Sequence, residues 1–236
     1  MSNLNHKELA DGIHFYNVKK EIDSLILDLE QKHYLQRKVQ FLLDVRGYIK
    51  VNNIAGDYVE FGSFKSEVQY SAFRVLEPTN CINKYIALDA FTGDLMVTDS
   101  DVKHHSYAKP TDFVCGYKDV KSFVDREIGE KGVIIPGDFR YKGVQEKFLK
   151  EVDEVAIAVF DCNFMSSTKA ALEMFLSKAK SGSVVFFDDY LTNFTAGKSI
   201  MPDLISSYAS SNGYRLVELG YYPPFAKSFI LEKKNE

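Results

Sequence analysis

The sequence predicts an α/β fold whose core is one seven-stranded, mostly parallel sheet. Five short apolar runs follow one another after residue 56, and helical patterns separate them. Continuously apolar runs are typical of strands buried on both faces, and their alternation with helices favours right-handed βαβ units. Near the end, two extended segments are joined by a connection with no room for a helix, which indicates an antiparallel last strand. The length of 236 residues, with 45% hydrophobic and 26% charged residues, fits one large domain of this kind or one such domain with a small appendage.

The first 50 residues contain no convincing strand pattern and differ from the rest of the chain. Apolar residues recur there at helical spacing in two groups, which indicates two amphipathic helices. We predict a helical N-terminal cap over residues 1–50 and a Rossmann-like sheet domain over residues 51–236. The apolar positions are Ile22, Leu25, Ile26 and Leu29 in the first group, and Leu35, Val39, Leu42 and Leu43 in the second.

The five apolar runs give the predicted parallel strands, and the segments between them give the helices that cross over the sheet. The strands are expected at Asp57–Phe61, Tyr85–Asp89, Gly132–Pro136, Val155–Asp161 and Ser183–Asp188. The helices are expected at Glu67–Leu76, Val120–Ile128, Gly143–Lys150 and Thr168–Ala179.

The C-terminal region completes the predicted sheet. Tyr214–Leu219 alternates polar and apolar residues, and Lys227–Glu232 follows after the short segment 220–224. We expect these two strands to pair, with the last one antiparallel to its neighbours. Between the second and third strands, the long polar connection Thr92–Lys118 has a length typical of lids and binding loops.

Composition and charge restrict the expected partners and location. The 33 acidic residues outnumber the 29 basic ones, and the net charge of −4 argues against nucleic acid as the main partner. No run approaches the roughly 20 apolar residues of a membrane helix, and the N-terminus lacks the apolar core of a signal peptide. The three cysteines show no CxxC spacing, which favours a reducing, cytoplasmic location. The amphipathic N-terminus is expected to pack on its own sheet or on a second copy in a homodimer.

Residues after the first two strands point to a nucleoside ligand. In an open parallel sheet, ligands bind beyond the carboxyl ends of the strands. Gly62 follows the first strand and precedes a helix, so the backbone there can approach a ligand closely. Asp89 ends the second strand, where an acid can bind both hydroxyls of a ribose. Each residue alone is also explained by an ordinary turn, but the pair favours a nucleoside.

The segment after the third strand offers a place for an adenine ring. Asp138 and Phe139 follow Gly137 there. An acid beside an aromatic ring can hold the amino group and the face of adenine. A turn with a core phenylalanine is an equally good explanation.

Acidic residues also end the fourth and fifth strands. Asp161 follows the fourth strand, and Asp188 and Asp189 follow the fifth. Ends of neighbouring strands lie about 5 Å apart, and like charges that close require a cation or a proton. Oxygen ligands suit Mg²⁺, so we predict a metal site at these three residues, with capping of loop amides as the alternative. In the long connection, His104 is either a general base or a solvated loop residue.

Four segments resemble the macrocin O-methyltransferase (TylF-like) family in order and spacing. Gly56–Ser66 resembles its GxYVEFGxFxG opening, and Ile86–Gly93 resembles its acid-plus-FxG motif. Asp161–Thr168 resembles its DxDxYxST segment, and Ser181–Tyr190 resembles its PGGxxxxDDY segment. The family comprises class I S-adenosylmethionine-dependent O-methyltransferases, which often act on sugars of antibiotics and use Mg²⁺. The chain departs from the family pattern at Ser66, Asn163 and Met165.

The resemblance implies a role for each matched residue and a Rossmann-like class I methyltransferase fold. The methionine part of S-adenosylmethionine is expected beside three residues after the first strand, the ribose on Asp89, and the adenine between Asp138 and Phe139. Asp161 is expected beside the cofactor as well as in the metal site with Asp188 and Asp189. The three residues expected beside the methionine part are Glu60, Gly62 and Ser63.

The leading hypothesis from the sequence is methyl transfer from S-adenosylmethionine to a hydroxyl of a small molecule, such as a sugar or a glycosylated natural product. Mg²⁺ would orient and acidify the hydroxyl, and Asp161 or His104 would take its proton. One alternative is a metal-free methyltransferase whose acceptor is a nitrogen, a phenol or a surface glycan. Another is a Rossmann-like binding protein without turnover. A nicotinamide dehydrogenase would need a fuller glycine fingerprint.

Overall fold

The computed structural model describes residues 34–93, 98–99, 101, 113–192, 194–195 and 198–234. The chain divides into two compact units, Met1–Arg37 and Lys38–Glu236. In the first unit, the described residues 34–37 are helical. The first predicted amphipathic group, residues 22–29, lies outside the described residues. The boundary predicted at residue 50 stays a prediction.

The second unit alternates strands and helices along most of its length. Short 3₁₀ turns, Glu77–Thr79 and Gly129–Lys131, lead into the second and third strands. The helices are α1 (residues 38–51), α2 (Glu67–Leu76), α3 (Tyr117–Glu127), α4 (Lys142–Glu151), α5 (Met165–Leu176) and α6 (Met201–Ser211). The strands are β1 (Gly56–Phe61), β2 (Ile82–Asp89), β3 (Gly132–Pro136), β4 (Val155–Phe160), β5 (Ala179–Phe187), β6 (Phe194–Thr195), β7 (Lys198–Ser199), β8 (Tyr214–Tyr222) and β9 (Ala226–Lys233). Among the described residues, none of these helices has the length and apolarity needed to cross a bilayer.

Seven of the strands form one sheet in the order β3-β2-β1-β4-β5-β9-β8. The strands from β1 to β5 pair in parallel, and β9 lies antiparallel between β5 and β8. This confirms the predicted seven-stranded, mostly parallel sheet with an antiparallel last strand. The chain moves outward from β1 in one direction through β2 and β3, and in the other through β4 and β5. Such a switch point opens a crevice at the carboxyl ends of the central strands.

Alternation along the strands assigns residues to the two faces of the sheet. Val59, Phe61 and Phe160 belong to the hydrophobic cluster that also contains apolar residues of α4, α5 and α6. The opposite face meets α1, where the rings of Phe41 and Phe186 lie 4.8 Å apart. Every residue of β1 and β4 is buried, as expected for central strands covered on both faces.

Three phenylalanines close the ends of the central strands. Phe61 pairs in register with Phe160, and Phe160 with Phe187. Their ring centroids are 5.0 and 4.7 Å apart, within the range of favourable aromatic contacts. This aromatic row brings the residues that follow it, Gly62, Asp161 and Asp188, to one edge of the sheet.

Helices α3, α5 and α6 differ most from the sequence prediction, and α3 begins three residues earlier than predicted. Helix α6 was not predicted, because its sequence is rich in serine and its apolar stripe is short. The stripe consists of Met201, Ile205 and Ala209, which are buried at a spacing of four residues. Helix α5 begins and ends three residues earlier than predicted, since Ala179 already belongs to β5.

Candidate active site

A cleft lies at the carboxyl edge of the sheet, where the loops after β1, β2, β3 and β4 come together. Five of the residues predicted to bind a cofactor line it, and the aromatic side chains of Phe64, Phe113 and Phe164 provide apolar walls. The five predicted residues are Gly62, Asp89, Asp138, Phe139 and Asp161. Glu60 and Ser63, also predicted, lie beneath the cleft and are 1% and 5% exposed. The hydroxyl of Ser63 is buried with no hydrogen-bond partner among the described residues.

Gly62 is required by the close approach of two strands. Its φ of +86° lies in the left-handed region, and a Cβ added there would lie 2.1 Å from the carbonyl oxygen of Asp161. Its own N–H donates to the carbonyl of Leu88 at 2.8 Å. A side chain at this position would therefore push β1 and β4 apart just below the cleft.

Asp89 joins the loops after β1 and β2. Its two carboxylate oxygens accept hydrogen bonds from the backbone N–H groups of Phe64 at 2.7 Å and of Phe91 at 2.6 Å. Both phenylalanines have positive φ, so the carboxylate stabilises two strained turns. Burial raises the pKa of Asp89, although these backbone donors oppose the shift. A carboxylate offers about four acceptor positions, so it can also accept bonds from hydroxyls in the cleft.

Asp138 forms hydrogen bonds with Arg140, a residue that was not predicted from the sequence. Arg140 donates from Nε to Oδ1 of Asp138 at 2.9 Å and from Nη2 to Oδ2 at 2.6 Å. Its Nη1 also donates to the hydroxyl of Ser166 at 3.0 Å, which ties the loop after β3 to α5. Phe139 is 7% exposed and contacts the ring of Phe61 at 5.9 Å, so it is both a core residue and part of the cleft wall.

A buried lysine lies between two of the predicted acidic residues. Nζ of Lys38 is 2.5 Å from Oδ2 of Asp161 and 3.3 Å from Oδ2 of Asp188. The side chains of Lys38 and Asp188 are 2% and 5% exposed, whereas Asp161 is 29% exposed and reaches the cleft. The structure therefore brings Asp161 and Asp188 together, as predicted, around an ammonium that was not predicted.

The position of Lys38 follows from the apolar stripe of α1. Lys38 is buried together with Phe41, Leu42, Val45 and Ile49, which occupy the same helix face at spacings of three, four and seven residues or more. A lysine on such a stripe is a signal in the sequence that an acidic partner lies opposite it. The predicted N-terminal cap included this helix without a role for Lys38.

The acids around Lys38 carry shifted pKa values. Burial disfavours the charged ammonium, but the nearby carboxylates Asp161 and Asp188 outweigh it and raise the pKa of Lys38. Burial raises the pKa of Asp161 to about 6, with Lys38 opposing the shift and Asp188 adding to it. Burial also raises the pKa of Glu60 to about 8, against the opposing effects of Lys38 and the Tyr58 hydroxyl. The site thus combines an ion-paired carboxylate facing the cleft with a buried acid that holds its proton near neutral pH.

The predicted three-carboxylate magnesium site does not fit this arrangement. Asp188 and Asp189 lie in the turn after β5, where their side chains have different surroundings. Asp188 forms an ion pair with Lys38, whereas Asp189 lines a small cavity with Met201 and Ile205 of α6. Within the described part of the chain, no three histidine, cysteine or acidic side chains are arranged to hold a metal ion. The position between Asp161 and Asp188 is taken by the Lys38 ammonium.

The long connection between β2 and α3 is described only in part, and His104 lies outside the described residues. The ends of the connection pair as Thr92 with Val114. Within it, Oδ1 of Asp101 accepts from the backbone N–H of Ser166 at 3.1 Å, which caps the first turn of α5. The connection is thereby fixed to the helix that borders the cleft, while the role of His104 as a base stays a prediction.

Comparisons with known proteins support the fold. No protein-family profile matches the sequence, and no similar sequence was found among curated proteins. The O-methyltransferase NovP is similar in structure, with a TM-score of 0.67 and 16% identity over 84% of this chain and 80% of that one. CalS11, a calicheamicin methyltransferase, has a TM-score of 0.61 and 20% identity over 97% and 94% of the two chains. An O-methyltransferase from Bacillus cereus in complex with SAH has a TM-score of 0.50 and 14% identity over 83% and 80%.

Proposed function

We propose that this protein is an S-adenosylmethionine-dependent methyltransferase that acts on a hydroxyl of a small molecule, such as a sugar or a glycosylated natural product. The observation that carries the proposal is that Asp89 and Asp161 line one cleft at the switch point of the sheet. Structures with this fold include an O-methyltransferase complex with SAH and enzymes named for natural-product methylation. The resemblance of four sequence segments to macrocin O-methyltransferases agrees with the same activity.

The residues of the cleft fit the cofactor. Asp89 would hold the ribose, since its carboxylate can accept from hydroxyls while it binds the amides of Phe64 and Phe91. Phe139 would pack against the adenine, and Arg140 keeps Asp138 fixed beside it. When bound, S-adenosylmethionine supplies an electrophilic methyl group on a positively charged sulfur. The exposed edge of Asp161 gives this part of the cleft a negative charge that favours such a cation.

Asp161 is the residue that we assign as the general base. Its Oδ2 is held by Nζ of Lys38, and its side chain is partly exposed to the cleft. The acceptor hydroxyl would give its proton to this carboxylate as the oxygen forms its new bond to carbon. The ion pair with Lys38 opposes premature protonation of Asp161. The aromatic side chains in the wall of the cleft would limit the positions open to the acceptor.

Magnesium is not part of the proposed mechanism, because the predicted ligands do not fit a metal site in this structure. A small-molecule acceptor without nucleic acid or membrane, a cytoplasmic location and a possible homodimer stay predictions. Membership of the macrocin O-methyltransferase family also stays a prediction. The same holds for the alternatives of nitrogen, phenol or surface-glycan acceptors. No observation in the described residues favours a binding protein without turnover.

The proposal is tested first by isothermal titration calorimetry of the purified protein with S-adenosylhomocysteine. We expect one site per chain, and Asp89→Asn should weaken binding by at least about tenfold, since the acid loses charge at the ribose. Radiolabelled methyl transfer to a panel of sugar, phenol and amine acceptors then identifies the acceptor class. Asp161→Asn should retain binding of S-adenosylhomocysteine and lose about 100-fold or more in turnover.

Asp153→Asn is the matched control, because Asp153 is an exposed acid at the opposite end of the sheet, beside the start of β4. It should leave both binding and transfer unchanged. Absence of any heat with S-adenosylhomocysteine would sink the proposed function. Transfer only to amines or phenols would retain the enzyme class and overturn the proposed acceptor.

A further inference from the structure

We propose that the ammonium of Lys38 is the resident cation of this active site and that methyl transfer here needs no divalent metal. The inference rests on the proposed methyltransferase function and names a residue that positions its general base. It follows from the geometry of Lys38, Asp161 and Asp188, and from the way in which α1 is held on the sheet.

The two carboxylates create the demand for a cation. Asp161 and Asp188 follow neighbouring parallel strands whose last residues, Phe160 and Phe187, are paired in register. Both acids lie on the sheet face that meets α1, and Asp188 is almost fully buried. Two carboxylates at such a place are stable together only with a compensating positive charge. Nζ of Lys38 supplies that charge, at 2.5 Å from Oδ2 of Asp161 and 3.3 Å from Oδ2 of Asp188.

The backbone that carries Lys38 is fixed by packing. Phe41, one turn further along α1, contacts the rings of Phe186 at 4.8 Å and Tyr222 at 6.1 Å. The hydroxyl of Tyr222 donates to Oδ2 of Asp44 at 3.0 Å, which adds a hydrogen bond between β8 and the same helix. The packed apolar face of α1 therefore places the Lys38 side chain, which is 2% exposed, beside the two carboxylates.

A divalent ion would have to displace this ammonium. Magnesium binds carboxylate oxygens at about 2.0–2.1 Å, so an ion that bridges the two Oδ2 atoms would lie within a few ångström of Nζ. Like charges at that separation repel strongly in a buried site. Glu60 on β1 also lies near Lys38, and the Tyr58 hydroxyl donates a hydrogen bond to Glu60. Neither changes the conclusion, because neither adds a further ligand on the cleft side of Asp161.

An ammonium in place of a metal ion changes which acceptors the site can use. A magnesium ion with open positions selects acceptors that present two vicinal oxygens. An ammonium offers hydrogen bonds and no coordination sites, and here it acts through Asp161. We therefore expect acceptors with a single reactive hydroxyl to be used as readily as vicinal diols. In each case the O–CH₃ bond forms, the S–CH₃ bond breaks, and the hydroxyl proton passes to Asp161.

The decisive experiment uses the wild-type protein and two readouts. Methyl transfer is measured after exhaustive treatment with EDTA and again after addition of Mg²⁺, and Mg²⁺ alone is titrated calorimetrically into the complex with S-adenosylhomocysteine. We expect rates within about twofold of each other and no heat from a metal site. Loss of activity in EDTA that Mg²⁺ restores, or a stoichiometric Mg²⁺ site, overturns the inference.

Substitutions at Lys38 test its positioning role. Lys38→Met keeps most of the length of the side chain without its charge, and should lower kcat by about 100-fold with little change in KM for S-adenosylmethionine. Lys38→Arg should recover much of the lost rate. Lys142→Met is the control, since that lysine is 86% exposed on α4 and should have no effect. Unchanged kcat in Lys38→Met overturns the role.

Failure of the proposed function and failure of this inference give different results. A protein that binds no S-adenosylhomocysteine fails the first, and one that binds it but requires Mg²⁺ fails the second. If Lys38→Met does not fold, the EDTA and Mg²⁺ measurements on the wild-type protein still decide the question.

Discussion

Glu60 allows the charge balance beneath the cleft to be measured as a pH dependence of stability. It is 1% exposed and accepts a hydrogen bond from the Tyr58 hydroxyl at 3.1 Å. Burial raises its pKa from 4.5 to about 8, although Lys38 and the Tyr58 hydroxyl oppose the shift. Glu60→Gln retains the shape of the side chain and an acceptor for Tyr58, but it removes the titration. The comparison of variant and wild type therefore reports the titration of Glu60 together with its interactions with Lys38 and Asp161.

The sign and size of the effect follow from linkage. Between pH 4.5 and about 8 the folded protein keeps a proton on Glu60 that the unfolded chain has released. The wild-type free energy of unfolding therefore loses a contribution as pH rises through this range. At about 1.4 kcal/mol per pKa unit, the full difference is roughly 4–5 kcal/mol. We expect Glu60→Gln to gain about 3–5 kcal/mol relative to wild type between about pH 5 and pH 8.5.

The assay is urea unfolding at a series of pH values without cofactor. Circular dichroism is the suitable signal, because the chain contains no tryptophan. Glu146→Gln is the control, since that exposed glutamate on α4 should show no comparable pH-dependent difference. A free-energy difference between Glu60→Gln and wild type that stays constant within about 0.5 kcal/mol over this range would refute the reasoning.

Three further predictions concern the walls and floor of the cleft. Gly62→Ala should destabilise the protein by about 2–4 kcal/mol in urea unfolding, because its Cβ would meet the carbonyl oxygen of Asp161 at 2.1 Å. A loss below about 0.5 kcal/mol would contradict the close approach of the strands. Phe160→Ala should cost about 3–5 kcal/mol through the cavity left in the aromatic row, measured as a lower urea midpoint, and a cost below about 1 kcal/mol would contradict that packing. Arg140→Lys removes the bidentate contact with Asp138 and should weaken S-adenosylhomocysteine binding by about tenfold in calorimetry. Unchanged affinity would show that this pair does not shape the cleft.

The sheet could be predicted from the sequence because burial on both faces leaves a simple pattern. β1 and β4 are mostly apolar, with Asp57 and Glu60 as the acids within β1, and each strand leads directly to a residue of the cleft, Gly62 or Asp161. Helix α6 was harder to predict because its apolar stripe, Met201 to Ala209, is interrupted by serines that favour loops as much as helices. Its stability comes from packing in the cluster with α5, which no local pattern reports.

The part of the candidate site that depends on which strands lie side by side was predicted from the sequence. The convergence of Asp161 and Asp188 follows from the pairing of β4 with β5, and the structure shows that pairing. Asp189 was predicted to belong to the same site, but in the turn after β5 it lines the small cavity beside α6. Arg140 was missed because its role depends on the conformation of the turn after β3, where it folds back onto Asp138.

Lys38 shows why a charge partner is harder to predict than a core. It lies 123 residues before Asp161, and their contact depends on how α1 crosses the face of the sheet. Each side of the contact is nevertheless visible alone, as a lysine on an apolar stripe and as an acid at the end of a buried strand. With Lys38 charged, the group of one ammonium and the two carboxylates Asp161 and Asp188 has a single net negative charge. A sulfonium ligand neutralises that charge, whereas a divalent ion added to the same group would leave a positive excess beside the sulfonium. The charge count of Lys38, Asp161 and Asp188 therefore favours a cationic cofactor over an additional metal ion beside them.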